Sequence, residues 1–347
     1  MEAFDREAVL AKMESLRRPS GAFAAAPTAD YRAVWLRDHL YTTYSYYYLG
    51  QPYFEKLIQG VRVAFDIFKQ YRDKLIDLPE GNPKASDFVH AKFDADTLKE
   101  ITGEWGHHQL DAIGLFLHMM GDLDFKHIKV IRDEEDLEIL ELLVLYLTEV
   151  RYWKNPDFGM WEEELNLHAS SIAACVSGLE YVKRRGIIQV PQTLVNRGIA
   201  ALGKILPNES LDLGTAHGHA SDMAQLSLIW PYNLAGQHAE EIMRRIASGE
   251  KPLAQKHGLN RYWGDNYYRS ANGVSGEWPM GFFWLSIVCS QFHQMEDARK
   301  WFEQGVGQMV DGNIPELYMN DHPNKHTPLA WAHAIALIAD VKLRDMK

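Results

Sequence analysis

Cysteine is scarce in this chain of 347 residues, which contains only Cys175 and Cys289. Each lies in an apolar pattern of helical period, so we expect two buried free thiols, as in proteins of a reducing compartment. Residues 1–7 are rich in acids, where a secretion signal would need a basic region followed by an apolar run. These features predict a cytoplasmic protein.

Long basic runs and long apolar runs are also missing. Lysine and arginine together number 36 against 47 acidic residues, which gives a net charge of −11. This balance argues against nucleic acid and anionic membrane surfaces as partners. No apolar stretch is long enough to span a bilayer. The sequence therefore favours a neutral or cationic small ligand, and it gives no indication of oligomeric state.

Motifs for phosphate, nucleophile and metal chemistry are absent or incomplete. We find neither a glycine-rich phosphate loop nor the Gly-x-Ser-x-Gly turn of serine hydrolases. Three pairs of histidines lie close in sequence, but none has the nearby third ligand that a zinc site needs. The pairs are His107 with His108, His217 with His219, and His322 with His326. We therefore predict no metal and no cofactor; His217 or His219 could instead bond sugar hydroxyls.

What the chain does contain is helical periodicity almost throughout. Apolar residues recur with a period near 3.6, and convincing alternating strand patterns are missing. Starts and stops marked by Pro, Gly and Asx or Ser caps give about twelve helices in a single domain, 1–347. The helices are expected at 5–17, 36–49, 53–73, 107–121, 133–152, 168–184, 191–205, 219–230, 235–248, 279–293, 295–309 and 327–343.

Polar and aromatic motifs fall at regular places in this count of helices. Each of them lies in a loop that leads into an even-numbered helix, from the second to the twelfth. In a ring of alternating outer and inner helices, the loops that lead into the inner helices open on one rim. The sequence therefore predicts an all-α (α/α)6 toroid with its site on that rim.

Two of these motifs carry an acidic residue directly after a turn. Residues 157–164 read Asp-Phe-Gly-Met-Trp-Glu-Glu-Glu, and residues 314–318 read Ile-Pro-Glu-Leu-Tyr. Two carboxylates brought to one cleft by separate loops are what hydrolysis of a glycosidic bond requires, and neighbouring tryptophans offer platforms for sugar rings. Residues 162–164 could also be the solvated first turn of a helix, and Arg37 with Asp38 a buried structural ion pair.

Taken in order along the chain, the motifs resemble glycoside hydrolase family 15, the glucoamylase family. Residues 35–38 (Trp-Leu-Arg-Asp) are similar to its Trp-x-Arg-Asp motif, and residues 105–111 (Trp-Gly-His-His-Gln-Leu-Asp) to its Trp-Gly-x-x-Gln-x-Asp segment. Residues 157–162 resemble the segment that carries the general acid, and 261–268 resemble the stretch that contacts the sugar on the leaving side. Glu316 is similarly placed to the general base.

This resemblance implies hydrolysis of an α-glucosidic bond at the non-reducing end, with inversion at the anomeric carbon. It makes Glu162 the general acid, which must carry a proton, and Glu316 the ionised general base. Arg37 and Asp38 would hold hydroxyls of the terminal sugar, and Trp105 would lie against that sugar. The full predicted binding set is Trp35, Arg37, Asp38, Trp105, Gln109, Asp111, Trp161, Glu163, Arg261, Tyr262, Asp265 and Trp278.

Two other functions stay open from the sequence. Related members of the family hydrolyse trehalose with the same acid and base. A non-catalytic carbohydrate-sensing module, as in the glucoamylase-like regions of phosphorylase kinase regulatory subunits, is an alternative of a different class. The presence of both Glu162 and Glu316 favours catalysis. The short chain and Leu317, where the family usually has Gln, favour the module.

Overall fold

The structure, a computed structural model, describes residues 4–78, 84–103, 106–211 and 219–345. Within these residues, thirteen α-helices carry the fold, and they match the twelve predicted helices, one of which is divided in two. Their bounds are α1 Arg6–Glu14, α2 Leu36–Leu49, α3 Phe54–Gln70, α4 Arg72–Ile76, α5 Leu110–Phe125, α6 Glu134–Glu149, α7 Ala169–Arg184, α8 Gln192–Ile205, α9 Leu226–Ile229, α10 Ala239–Ala247, α11 Met280–Gln291, α12 Met295–Val306 and α13 Ala330–Asp345.

Six of these helices form a closed inner ring. They are α2, α5, α7, α9, α11 and α13, each packed on the next, and α13 packs back on α2. The sequence of α11 explains its position, because every residue from 280 to 290 is buried. A helix that is apolar around its whole circumference has to be surrounded by protein. The predicted (α/α)6 toroid is confirmed, with the even-numbered predicted helices inside.

The outer ring consists of helices that bury one face. α1, α3, α6, α8, α10 and α12 lie outside the inner helices. In α10, Ile242, Met243 and Ile246 are buried at helical spacing, whereas Glu240 and Arg244 are exposed. Each large apolar side chain buried in this way stabilises the fold by roughly 1.5–3 kcal/mol.

Aromatic side chains fill the centre of the inner ring. Tyr41 of α2 stacks on Trp331 of α13 with ring centroids 5.2 Å apart, and it meets the edge of Trp284 of α11 at 5.6 Å. Trp230, at the end of α9, accepts a hydrogen bond from Trp284 Nε1 through its carbonyl. This packing closes the interior of the toroid below the rim.

Details of several elements differ from the prediction. The helix predicted at 53–73 ends at Gln70 and resumes as α4. The helix predicted at 219–230 shortens to α9, because the Asp222 side chain accepts from the Ala224 amide and caps a 3₁₀ turn there. In the described part of the chain, four strands pair antiparallel, each too short to give an alternating pattern: β1 Ala33–Trp35 with β2 Lys92–Asp94, and β3 Tyr318–Met319 with β4 His322–Pro323.

Two predictions from composition can be compared with the structure directly. Cys175 and Cys289 are both buried and neither is in a disulfide, which confirms the expectation of buried free thiols. Among the helices that the structure describes, none combines the length and the apolar character needed to cross a membrane.

Candidate active site

A cavity of about 740 Å³ opens at the end of the toroid where the inner helices begin. Its walls come from the loops before α2, α5, α7, α11 and α13, together with the first residues of α2 and α13. They include Tyr31, Trp35, Arg37, Asp38, Gly106, Met160, Trp161, Glu162, Glu163, Arg261, Tyr267, Trp278, Glu316 and Trp331. Side chains far apart in the sequence thus meet on one rim, as the helix count predicts.

Glu162 lies on a loop that is fixed at its base. The Asp157 carboxylate accepts from the Leu110 amide at 2.9 Å and from Ser171 Oγ at 2.8 Å, which ties the loop to α5 and α7. Further along the loop, Glu162 has a φ of +68°, a left-handed conformation that costs a residue with a side chain roughly 1–2 kcal/mol. Such strain persists where the surroundings hold the residue in place.

Arg37 and Trp35 both donate to the Glu162 carboxylate. Arg37 Nη2 donates to Oε1 at 2.9 Å, and Trp35 Nε1 donates to Oε2 at 3.1 Å. Trp35 is itself positioned by β1, where its cross-strand partner Lys92 places Nζ 4.1 Å from the centroid of the indole ring. Because a bond from a guanidinium is strongest to an anion, the structure presents Glu162 as one half of an ion pair.

Glu316 is more deeply enclosed, with 2% of its surface exposed. Tyr31 Oη donates to Oε1 at 2.7 Å, Tyr267 Oη lies 3.4 Å from the same oxygen, and Asn324 donates to Oε2. Burial raises the pKa of Glu316 to about 7, and these donors oppose that shift only in part. When ionised, Glu316 is therefore a carboxylate surrounded by donors and well placed to accept a proton.

Tyr31 links the two carboxylate sites. Its ring stacks on His326 with centroids 3.7 Å apart and contacts the ring of Trp35 at 5.0 Å. Since Trp35 holds Glu162 and Tyr31 holds Glu316, a pair of adjoining rings connects the two carboxylates along the cavity wall.

Arg37 is the buried cation of a cluster rich in carboxylates. Its Nη1 donates to Gln109 at 3.0 Å and to Asp111 at 3.2 Å, in addition to the bond with Glu162. Asp38 is farther away, 3.9 Å from Nε. Burial raises the pKa of Asp38 to about 7; Arg37 opposes this shift, whereas the charge of Glu162 adds to it. Arg37 and Asp38 are thus part of a shared network rather than an isolated ion pair.

Arg261 forms a second cationic centre. Its Nε and Nη2 donate to Asp265 at 2.7 and 2.6 Å, and Nη2 also pairs with Glu163. Glu163 accepts a further bond from the hydroxyl of Tyr262. Four rings surround the guanidinium carbon at 4.9–5.8 Å, those of Trp161, Tyr262, Tyr267 and Trp278. The sequence predicts Glu163 as a binding residue, and the structure pairs it with Arg261 on the cavity wall.

Trp161 contributes an aromatic wall to the cavity. Its ring lies 5.8 Å from that of Trp278 and 6.3 Å from that of Trp331, centroid to centroid. The indole Nε1 donates to Asp222 at 2.7 Å, and Asp222 also bonds His219 Nδ1 at 3.0 Å. Since its polar atom is used within the protein, Trp161 offers the cavity its apolar ring.

Most of the predicted site residues line the cavity, but four predicted binding residues lie behind it: Gln109, Asp111, Tyr262 and Asp265. They hold the two arginines and Glu163 from behind, so the structure places them as supports rather than as cavity wall. Trp105 and His217 lie outside the described residues.

Sequence reasoning missed three polar residues that hold the site together. Tyr31 and Asn324 bond Glu316, and Asp222 bonds Trp161. Tyr31 stands 285 positions from its partner, and no local pattern links them. The closeness of Tyr31 to the motif at 35–38 was the one available signal.

Histidines in this region have partners other than a metal. His107 Nε2 faces the Gly103 carbonyl at 2.9 Å, His219 stacks on Tyr262 at 3.7 Å, and His326 stacks on Tyr31. In the part of the chain that the structure describes, no group of three or more His, Cys, Asp or Glu side chains is arranged to hold a metal ion.

Comparisons with known structures agree with the toroidal fold. A glycosidase determined in complex with glucose has a TM-score of 0.79 at 19% identity, with 98% of this chain and 96% of that chain covered. The glucoamylase of Saccharomycopsis fibuligera has a TM-score of 0.71 at 15% identity, with 98% and 94% covered. At these identities the likeness establishes the fold alone.

Sequence comparisons identify the family. The probable phosphorylase b kinase regulatory subunit alpha of Caenorhabditis elegans is 23% identical across 88% of this chain. The chain spans about 30% of the length of the curated relatives it matches. The model of glycosyl hydrolases family 15 matches residues 4–277, most of the chain. This chain therefore belongs to glycosyl hydrolases family 15.

Proposed function

We propose that this protein is an inverting glycoside hydrolase that releases glucose from the non-reducing end of short α-glucosides. The observation that carries the proposal is the pair of carboxylates on one cavity, Glu162 held by Trp35 and Glu316 held by Tyr31. The adjoining rings of Trp35 and Tyr31 space the two groups. The inverting assignment follows the family, and an inverting pair stands about 6.5–9.5 Å apart to admit a water, whereas a retaining pair stands about 5–5.5 Å apart.

Glu316 is the proposed general base. With a pKa of about 7 it is both ionised in part and strongly basic at neutral pH, which is the best compromise for proton transfer. The hydroxyls of Tyr31 and Tyr267 fix one oxygen, and Asn324 fixes the other. A water placed against this carboxylate would be oriented and deprotonated as it attacks the anomeric carbon.

Glu162 is the proposed general acid, which donates a proton to the leaving oxygen, and in the structure Arg37 bonds its carboxyl group. Arg37 also faces the cavity, where it is the proposed partner of a hydroxyl on the terminal sugar. When Arg37 donates to that hydroxyl, its hold on Glu162 weakens, which leaves the Glu162 carboxyl group available to the leaving oxygen. In this scheme, substrate binding and activation of the general acid Glu162 are coupled.

Arg261 and Glu163 are the proposed contacts for the leaving sugar. Both line the cavity, and Asp265 and Tyr262 fix them from behind. The aromatic walls of Trp161 and Trp278 supply apolar surface for the sugar faces. The solved glycosidase with glucose bound supports a carbohydrate ligand for this fold.

The test is proton NMR of the protein mixed in turn with maltose, isomaltose, maltotriose and trehalose. We expect β-glucose to appear first from an α-linked substrate, and the panel identifies the linkage, including the trehalose alternative. Glu162→Gln and Glu316→Gln should each lower the rate roughly 10²–10⁴-fold. The exposed Glu303 of α12 supplies the matched control, Glu303→Gln, which should keep full activity. Initial release of α-glucose would overturn the mechanism.

A carbohydrate-sensing module is the second candidate. Two observations favour it: the curated relatives are named as regulatory subunits, and Glu162 is paired with Arg37 as an anion would be. Under this alternative no substrate in the panel is cleaved, yet saturation-transfer NMR detects a bound sugar. Arg37→Gln should then abolish sugar binding, while Glu162→Gln leaves it in place.

A further inference from the structure

A second cavity, of about 510 Å³, adjoins the site described above but does not belong to it. Its lining includes His219, Arg244, Arg245, Glu250, Lys251 and Trp263. His219 lines this second cavity, and its ring stacks on that of Tyr262 with centroids 3.7 Å apart. The Tyr262 hydroxyl in turn bonds Glu163, which lines the first cavity. The stacked rings therefore lie between the two cavities. Its volume is typical of a small-molecule site.

Charge distinguishes this second cavity from the rest of the protein. Three of its lining residues are cations and one is a carboxylate, in a chain whose net charge is −11. Arg245 is already held by Asn208 at 2.9 Å and by Glu241. Arg244 and Lys251 have no ionic or hydrogen-bonding partner for their side chains among the described residues. Two such cations beside a fixed arginine favour an anion, most of all a phosphate.

The cavity also offers a platform for a ring. Trp263 is 51% exposed, unusual for a tryptophan, and its Nε1 donates to the Lys251 carbonyl at 2.8 Å. The hydrogen bond satisfies the one polar atom of the indole and fixes its orientation, so the ring face remains for contact with a ligand. An indole face beside hydroxyl-bonding groups is suited to the apolar face of a sugar.

A buried nitrogen without a partner points to the same ligand. His219 is 8% exposed and its Nδ1 bonds Asp222, while its Nε2 is buried without a hydrogen-bonding partner among the described residues. When Nδ1 donates to the carboxylate, the neutral ring presents Nε2 as an acceptor. A buried polar atom left unsatisfied is costly, so a small shift of the ring that opens Nε2 to the cavity would let a sugar hydroxyl satisfy that acceptor.

We propose that this second cavity binds a phosphorylated monosaccharide, with its phosphate on Arg244 and Lys251, its ring on Trp263 and a hydroxyl on His219. The site is distinct from the proposed catalytic cavity and does not depend on hydrolysis. Its ligand would lie beside His219, whose ring stacks on that of Tyr262.

Calorimetric titration of the full chain with glucose 6-phosphate, inorganic phosphate and glucose tests the proposal. Glucose 6-phosphate should bind at least tenfold more tightly than either of the others. Arg244→Gln and Lys251→Gln should each weaken binding of glucose 6-phosphate and of phosphate at least tenfold. The matched controls are Arg299→Gln and Lys300→Gln, exposed cations of the outer helix α12 remote in sequence from this cavity. They should leave both affinities unchanged.

Trp263→Ala separates the sugar platform from the anion site. It should weaken glucose 6-phosphate at least fivefold and leave inorganic phosphate unchanged. The proposal is overturned if glucose 6-phosphate binds no better than glucose, or if the cavity variants behave like the α12 controls. Equal affinity for phosphate and glucose 6-phosphate would reduce the site to an anion site and refute its sugar specificity. None of these results depends on whether the protein hydrolyses glycosides.

Discussion

Replacing Glu316 by Gln removes a buried carboxyl group whose ionisation opposes folding. Burial raises the pKa of Glu316 from an ordinary 4.5 to about 7 in the folded protein. A tenfold change in an ionisation equilibrium corresponds to about 1.4 kcal/mol. The ionised group therefore destabilises the folded protein by about 3 kcal/mol, a large share of the 5–15 kcal/mol typical of natural proteins.

The direction of the effect with pH follows from the raised pKa. Because the folded pKa exceeds the unfolded one, protonation of Glu316 stabilises the fold fully below about pH 4.5. That contribution is lost as the pH rises through about 7. A Gln at this position never ionises, so Glu316→Gln should approach the wild type in stability towards the acid end and exceed it by about 3 kcal/mol at pH 9.

Urea unfolding followed by far-ultraviolet circular dichroism measures this difference, since the fold is helical. Free energies of unfolding of wild type and Glu316→Gln are compared at pH 5, 7 and 9. The matched control Glu303→Gln changes an exposed glutamate of α12 and should show little difference at any of these values. The reasoning is refuted if the difference in free energy of unfolding between Glu316→Gln and the wild type does not grow between pH 5 and pH 9.

Three further expectations concern the proposed activity. In the wild type, kcat/KM should fall about tenfold per pH unit below about pH 7, because protonated Glu316 accepts no proton from water; a flat acid limb down to pH 5 contradicts this. Tyr31→Phe removes the 2.7 Å donor to Glu316, so it should lower kcat/KM roughly tenfold or more and move the acid limb to higher pH, as pH–rate profiles measure. Gly106→Ala places a Cβ 2.5 Å from the Glu162 carbonyl and should lower kcat at least tenfold. The control Gly103→Ala, whose Cβ meets nothing within 4 Å, should leave kcat unchanged. Equal kcat values for the two variants would argue against the importance of the loop that carries Glu162.

The fold could be predicted because its signals are local and repeated. Inner helices such as α11 are buried around their whole circumference, and outer helices such as α10 carry one apolar stripe. Caps and turn residues mark the ends of most helices to within a few positions. The exception is α9, where Asp222 caps a 3₁₀ turn and leaves only residues 226–229 in α-helical form. The position at which α9 begins depends on the tertiary partners of Asp222, which the apolar periodicity of the sequence does not reveal.

The site was only partly predictable, for a related reason. Glu162 and Glu316 could be found because each stands in a short pattern of turn residues and aromatics. The residues that position them come from elsewhere in the chain, such as Tyr31, which bonds Glu316 across 285 positions. Conversely, Gln109 and Asp265 stand within the motifs but support arginines from behind the wall. A motif identifies which segments meet, whereas the orientation of each side chain follows from packing.

Charge gives the two cavities different preferences. In the proposed catalytic cavity, carboxylates outnumber the two guanidinium groups, and burial raises the pKa of both Asp38 and Glu316 to about 7. An anionic sugar there would add charge beside groups that already ionise reluctantly, so this cavity favours neutral sugars. The second cavity has the opposite balance, with Arg244 and Lys251 available for an anion. Under the two proposals, charge therefore favours a neutral sugar in one cavity and its phosphate ester in the other, with the stacked rings of His219 and Tyr262 close to both.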